Sequence, residues 1–115
     1  MDDAMYPPMT RDIAKQRTEL TPDTMAAFKA FSASVFAEGA LSKKHKQLIA
    51  VAVAHVTQCP YCIRGHTEAA AKQGATDQEV MEAIWVAAEM RAGGAFAHST
   101  LALQTLNHQH KDHDQ

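Results

Sequence analysis

Aromatic side chains are scarce in this chain, with one Trp, two Tyr and four Phe in 115 residues. Beside an apolar fraction of 46%, much of it alanine, that scarcity argues against a sheet, which draws on Val, Ile, Tyr and Thr. It favours closely packed helices. Basic residues form no block, and a net charge of -2 is spread over both signs. Nucleic acid and anionic membrane surfaces therefore gain no electrostatic hold, and neither is expected as a partner. Long hydrophobic runs are missing as well: the longest, Leu48 to Ala54, is far too short to cross a bilayer. Met1, Asp2 and Asp3 lack the basic and apolar regions of an export signal, so the expected location is the cytoplasm. No repeat of fixed period is visible. The length leaves room for one domain with one modest core.

What is present reads as helices. Pro7 and Pro8 make residues 1–9 an irregular arm. A short helix with a thin apolar stripe is expected from Thr10 to Glu19. Thr21 as cap and Pro22 at the first helical position open the next, which Gly39 ends. Met25, Phe28, Phe31 and Val35 recur there at three- and four-residue steps and form one apolar face. Ser42 caps a third helix running to about Thr57. Its centre is apolar all round, so this helix is the one expected to be buried. The same run also resembles a buried strand, but its alanines and the lack of a turn signal favour helix. Pro60 stops that helix and suits the first turn of a fourth, which ends at Gly74 as a C′ glycine. Thr76 and Glu79 form a capping box at the head of a helix with Val80, Ile84, Trp85 and Ala88 on its inner side. Gly93-Gly94 is expected to interrupt it, and a last helix from about Ala95 to Leu106 carries Leu101 and Leu103. The reading is an all-α bundle of five or six helices: an arm over residues 1–9, one domain over 10–107, and a polar tail over 108–115 holding His108, His110 and His113.

The two cysteines, Cys59 and Cys62, stand two residues apart. A disulfide stabilises chiefly by closing a long loop, which this pair does not do. In a reducing compartment such a pair is more often catalytic, redox-sensing or metal-binding. With Pro60 in the first turn, Cys62 lies near a helix N-terminus, where unpaired N–H groups and the helix dipole favour thiolate over thiol. His66 follows one turn on, on the same face, placed to take the thiol proton. Cys59 is near enough to close a disulfide once Cys62 has reacted. This makes Cys62 the attacking sulfur and Cys59 the resolving one, because the only histidine at helical spacing partners the second cysteine.

A zinc site of Cys59, Cys62, His66 and a distant fourth ligand such as His55 or His98 is a weaker reading. Zinc ligand pairs usually recur far apart in the chain, and there is only one cysteine pair. His55 and His98 read more simply as histidines bonded to backbone, and Trp85 and Met90 as core or interface packing. Tyr61, between the cysteines, would line the site. No cofactor is expected.

The run Lys46-Gln47-Leu48-Ile49-Ala50-Val51-Ala52-Val53-Ala54-His55-Val56-Thr57-Gln58-Cys59-Pro60-Tyr61-Cys62-Ile63-Arg64-Gly65-His66-Thr67 resembles the AhpD-like core of the carboxymuconolactone decarboxylase family. Gly74-Ala75-Thr76, Glu82 to Ala88 and Ala97-His98-Ser99 extend the resemblance over roughly residues 40–100. It implies an all-helical fold assembled as a homo-oligomer, commonly a trimer or hexamer. It also implies thiol-dependent reduction of hydroperoxides, the second cysteine attacking and the first resolving. A thiol or disulfide reductant, not identifiable from sequence, would reset the pair. In the family pattern a glutamate twelve residues before the first cysteine orients the histidine, and position 47 here is Gln. Gln47 can hydrogen-bond His66 but supplies no negative charge. A histidine between the cysteines of the best-known members is Tyr61 here. Both departures weaken the proton relay.

Three functions compete. The favoured one is a thiol peroxidase or disulfide oxidoreductase built on Cys62, Cys59, His66 and Gln47. The second is a lyase acting on a lactone acid, which needs no cysteine pair but wants cations for carboxylates; Arg64 and Arg91 are the only basic candidates near the motif. The third is a non-catalytic oligomer that senses redox state or holds metal. Association has its own motive: an all-apolar helix plus Met81, Trp85 and Met90 is more apolar surface than a small bundle hides.

Overall fold

The structure is a computed structural model that describes residues 5–113. The reading of Met1 to Asp3 and the end of the tail lie outside those residues. Five helices follow in order among the described residues: α1 Arg11–Leu20, α2 Pro22–Phe36, α3 Lys43–Thr57, α4 Pro60–Lys72 and α5 Asp77–His113. No strand occurs among the described residues, so the run at Leu48 is helix.

Most helix ends follow their local chemistry. Thr10 Oγ1 accepts from the Ile13 amide at 3.3 Å, and Ser42 Oγ accepts from the His45 amide at 3.1 Å. Thr76 and Glu79 exchange bonds of 2.9 and 3.0 Å in the expected capping box. Gly74 follows α4 at φ 89°, a left-handed position that suits glycine. Two ends differ. Thr21 makes no side-chain cap for α2; its hydroxyl donates to the Arg17 carbonyl at the end of α1 instead. α2 also stops at Phe36, short of Gly39.

The main correction is α5. Gly93 and Gly94 do not interrupt it, and it continues past Leu106 to His113. Two glycines cost roughly 1 kcal/mol each in a helix interior, but neither takes a positive φ and no proline follows. The flanking alanine, methionine, leucine and glutamine keep the helix going.

α3 lies at the centre, packed against both α4 and α5. Val51, Ala54, Ala70 and Ala87 are the buried apolar residues among those described. On α5 the inner positions are Val80, Ala83, Ile84 and Ala87, whereas Trp85 and Ala88 face outward. Trp85 is 65% exposed because it follows Ile84 by about 100° around the helix, away from that face. The α2 face is likewise uncovered: Phe28, Phe31 and Val35 are exposed, and only Met25 of the four is half-buried. The far half of α5 stands clear of the bundle, and the molecule measures 67 × 35 × 35 Å. Among the described residues no helix is long and apolar enough to cross a membrane.

Candidate functional site

α3 and α4 are joined through Gln58 and Cys59 alone. Gln58 adopts a left-handed conformation, φ 57° and ψ 50°, which turns the chain sharply. The Cys59 amide then donates to the Ala54 carbonyl at 3.1 Å, ending α3. Cys59 Sγ accepts from the Cys62 amide at 3.2 Å and so caps α4. One residue closes one helix with its amide and opens the next with its sulfur. Cys59 and Cys62, with Cα atoms 5.2 Å apart, are joined as a disulfide.

One turn along α4, His66 borders the same two cavities as Cys62. Its Nδ1 lies 2.8 Å from Gln47 Oε1 on α3. With the Gln47 oxygen as acceptor, Nδ1–H donates, and in the neutral tautomer that fits this contact Nε2 is the acceptor. The other side of the imidazole is stacked on Phe36 at the end of α2, ring centroids 5.1 Å apart and planes 24° from parallel. Three helices thus set one ring.

The first cavity, about 370 Å³, has walls of Val35, Phe36, Ile49, Ala50, Val53 and Ala54, with Cys62 and His66 at its edge. Lys46 also lines it, but its Nζ donates to the Val35 and Ala37 carbonyls at 2.8 and 2.7 Å. Lys46 thereby ties the end of α2 to α3. The second cavity is bordered by Gln47, Tyr61, Cys62 and His66.

Cys59, Cys62, His66 and Gln47 are therefore brought together, and Tyr61 lies at the rim. Tyr61 also meets Tyr6 of the N-terminal arm edge-on, centroids 6.1 Å apart. His55 and His98 stand apart, each with Nδ1 on a carbonyl of its own helix: Val51 at 2.7 Å and Gly94 at 2.8 Å. Among the described residues no three His, Cys, Asp or Glu side chains converge as a metal cluster would require. Arg64 donates to the Tyr6 carbonyl and Arg91 to the Val56 carbonyl; neither lines the cavities beside Cys62. Phe36 and Lys46 were not visible as site residues in sequence. Phe36 directly follows Val35 of the periodic face, and nothing in its spacing marks it as a partner of His66.

The carboxymuconolactone decarboxylase family model matches residues 22–105. "Uncharacterized protein 4 in cox locus" of Paracoccus denitrificans is 65% identical over 81 residues, 70% of this chain and 73% of that protein. A crystal structure of a protein from Methanobacterium thermoautotrophicum is 37% identical with a TM-score of 0.72, covering 78% of this chain and 98% of the other. The apo crystal structure of a carboxymuconolactone decarboxylase family protein from Legionella pneumophila is also 37% identical, with a TM-score of 0.64 over 70% and 75% of the two chains. With its helices ordered as these are and its cysteine pair at the head of α4, the chain belongs to the carboxymuconolactone decarboxylase family and carries that family's AhpD-like helical core.

Proposed function

We propose that the protein is a thiol-dependent oxidoreductase that reduces hydroperoxides, with Cys62 attacking, Cys59 resolving and His66 moving the proton. The observation that carries this reading is a disulfide-forming pair at a helix start, with an imidazole one turn on held at Nδ1 by Gln47. His66 Nε2 takes the Cys62 proton, and the thiolate attacks the peroxide oxygen. The O–O bond breaks, the alcohol leaves with that proton, and Cys62 becomes a sulfenic acid. Cys59 then condenses with it, releasing water and forming the disulfide. An external thiol reductant returns two electrons to the pair. A reducing compartment, the cytoplasm, suits this cycle.

Support against the lyase reading comes from the cations: Lys46, Arg64 and Arg91 are each bonded to backbone carbonyls. The cavity beside Cys62 is walled mainly by apolar side chains. A carboxylate would lose hydration there without a free positive partner. The working form we infer is a homo-oligomer, because the exposed faces of α2 and α5 exceed what this small core covers.

The direct test is a titration of free thiols in the reduced protein before and after excess hydroperoxide. Two thiols per chain should fall to none; their persistence sinks the proposal. Cys62→Ser should abolish turnover. Cys59→Ser should allow one attack per chain, leaving a sulfenic acid that a dimedone adduct reports by mass.

A further inference from the structure

When His66 takes a proton the imidazole becomes a cation, and its surroundings decide how readily that charge forms. Among the described residues no Asp or Glu borders either cavity beside the ring, and α1 and α5 border neither. On α3, Gln47 meets Nδ1 as a neutral amide, and Lys46, which lines the first cavity, is itself a cation. The titratable neighbours on α4 are Cys62 and Tyr61. From α2 no ionisable side chain borders the cavities; what α2 presents is the face of Phe36. That ring is stacked on the imidazole with centroids 5.1 Å apart and planes 24° from parallel. An aromatic face attracts a cation within about 6 Å of its centroid, and more strongly as water is excluded. Both residues are half-buried. Lys46 Nζ bonds to the Val35 and Ala37 carbonyls and so fixes the backbone on both sides of Phe36.

We propose that Phe36 is a positioning residue whose π face stabilises the imidazolium form of His66, where no carboxylate is at hand to do so. The proposal rests on the proton transfer from Cys62 to His66 given above. The proton leaves Cys62 Sγ for His66 Nε2, so a thiolate and an imidazolium form together and no electron changes hands. The negative face of an aromatic ring holds a cation more strongly than a neutral ring. The stack therefore favours the charged pair over thiol and imidazole. Phe36 acts on Cys62 through the histidine, and the Lys46 brace keeps its ring in place while the charge forms.

The test follows the rate of Cys62 alkylation by iodoacetamide against pH in the full chain carrying Cys59→Ser, which leaves one thiol and keeps an oxygen to cap α4. Phe36→pentafluorophenylalanine retains an aromatic ring of similar shape but reverses the charge of its face. The midpoint of the profile should rise by about half a pH unit. Phe36→Leu should raise it as well, and Phe36→Tyr, which keeps the face, should leave it where it was. A fluorinated ring that behaves like the parent overturns the proposal, as does a plateau rate that changes at constant midpoint, which reports access alone. With His66→Asn added, fluorination should move nothing; a shift that survives loss of the imidazole also overturns it. None of these measurements uses hydroperoxide. A midpoint that follows fluorination in a chain whose cysteine pair resists hydroperoxide refutes the peroxidase reading and upholds this one.

Discussion

Gln47 occupies the position from which a carboxylate would act on His66, and it reaches the ring as a neutral amide at 2.8 Å. It can hold the tautomer and the angle of the imidazole without stabilising its cation. Gln47→Glu adds that charge. The alkylation rate of Cys62 against pH should then place its pKa lower than in the parent, itself below the free-cysteine value of about 8.5. Peroxide turnover should rise with it, by about tenfold at neutral pH, the effect of roughly one pKa unit. Unchanged alkylation and turnover would remove Gln47 from the site. Much of this was legible beforehand: the four-residue step from Cys62 to His66 needs only a helix to become a shared face. The contacts of Phe36 and Lys46 depend on where α2 lies across α3, which no local spacing encodes.

Two residues in left-handed backbone give opposite expectations at the level of the helix. Gly74 sits at φ 89° with nothing within 4 Å of a built Cβ, so Gly74→Ala introduces backbone strain and no clash. It should cost about 1 kcal/mol. Gln58, at φ 57°, already bears that strain, and Gln58→Gly should relieve about as much. Opposite shifts in Tm check the pair; a gain for Gly74→Ala would show the argument wrong. The head of α5 adds a pH dependence. Glu79 is held below its usual value of 4.5 chiefly by the hydrogen bond from Lys44, 2.8 Å away, and next by the Thr76 backbone. A lowered folded-state pKa means that this contribution is complete above the unfolded value. It is lost as pH falls through the folded one. Glu79→Gln should therefore flatten the acid side of a plot of Tm against pH and leave its slope near neutrality unchanged. A parallel drop at every pH would assign Glu79 a structural role only. Gly74 and the Thr76–Glu79 capping box were readable in the sequence, since each acts within a few positions of itself, whereas the left-handed Gln58 and the distant Lys44 partner of Glu79 were not. The run of α5 through Gly93-Gly94 was not, because helix propensity summed over the flanks outweighed a local signal.

Taken whole, the chain is longer and thinner than a self-sufficient domain of its size. Its radius of gyration is 20.7 Å, against about 13 Å for a compact 115-residue fold. Phe96 is 81% exposed and Trp85 65%, while the buried apolar residues among those described are one valine and three alanines. So small a core stabilises little by itself, which is the ground for the homo-oligomer proposed above. Sedimentation should find an oligomer at micromolar concentration, with a Tm that rises with concentration. Trp85→Lys should shift it toward smaller, less stable species. A monomer whose Tm is independent of concentration would contradict the expectation.

Composition, caps and spacing by themselves determined an all-helical chain, the limits of α1, α3 and α4, and the placing of Cys62 and His66 on one helical face. These are consequences of interactions within a turn or two of helix. Tertiary structure decided what depends on distant segments meeting. It put the Gln47 amide on His66 Nδ1, set Phe36 against the ring, left Trp85 outside, and turned one cysteine toward the cavities while the other caps α4. The physical reason is that helix formation is a short-range bonding pattern, whereas the rotation and offset of one helix against another follow from packing summed over the whole contact.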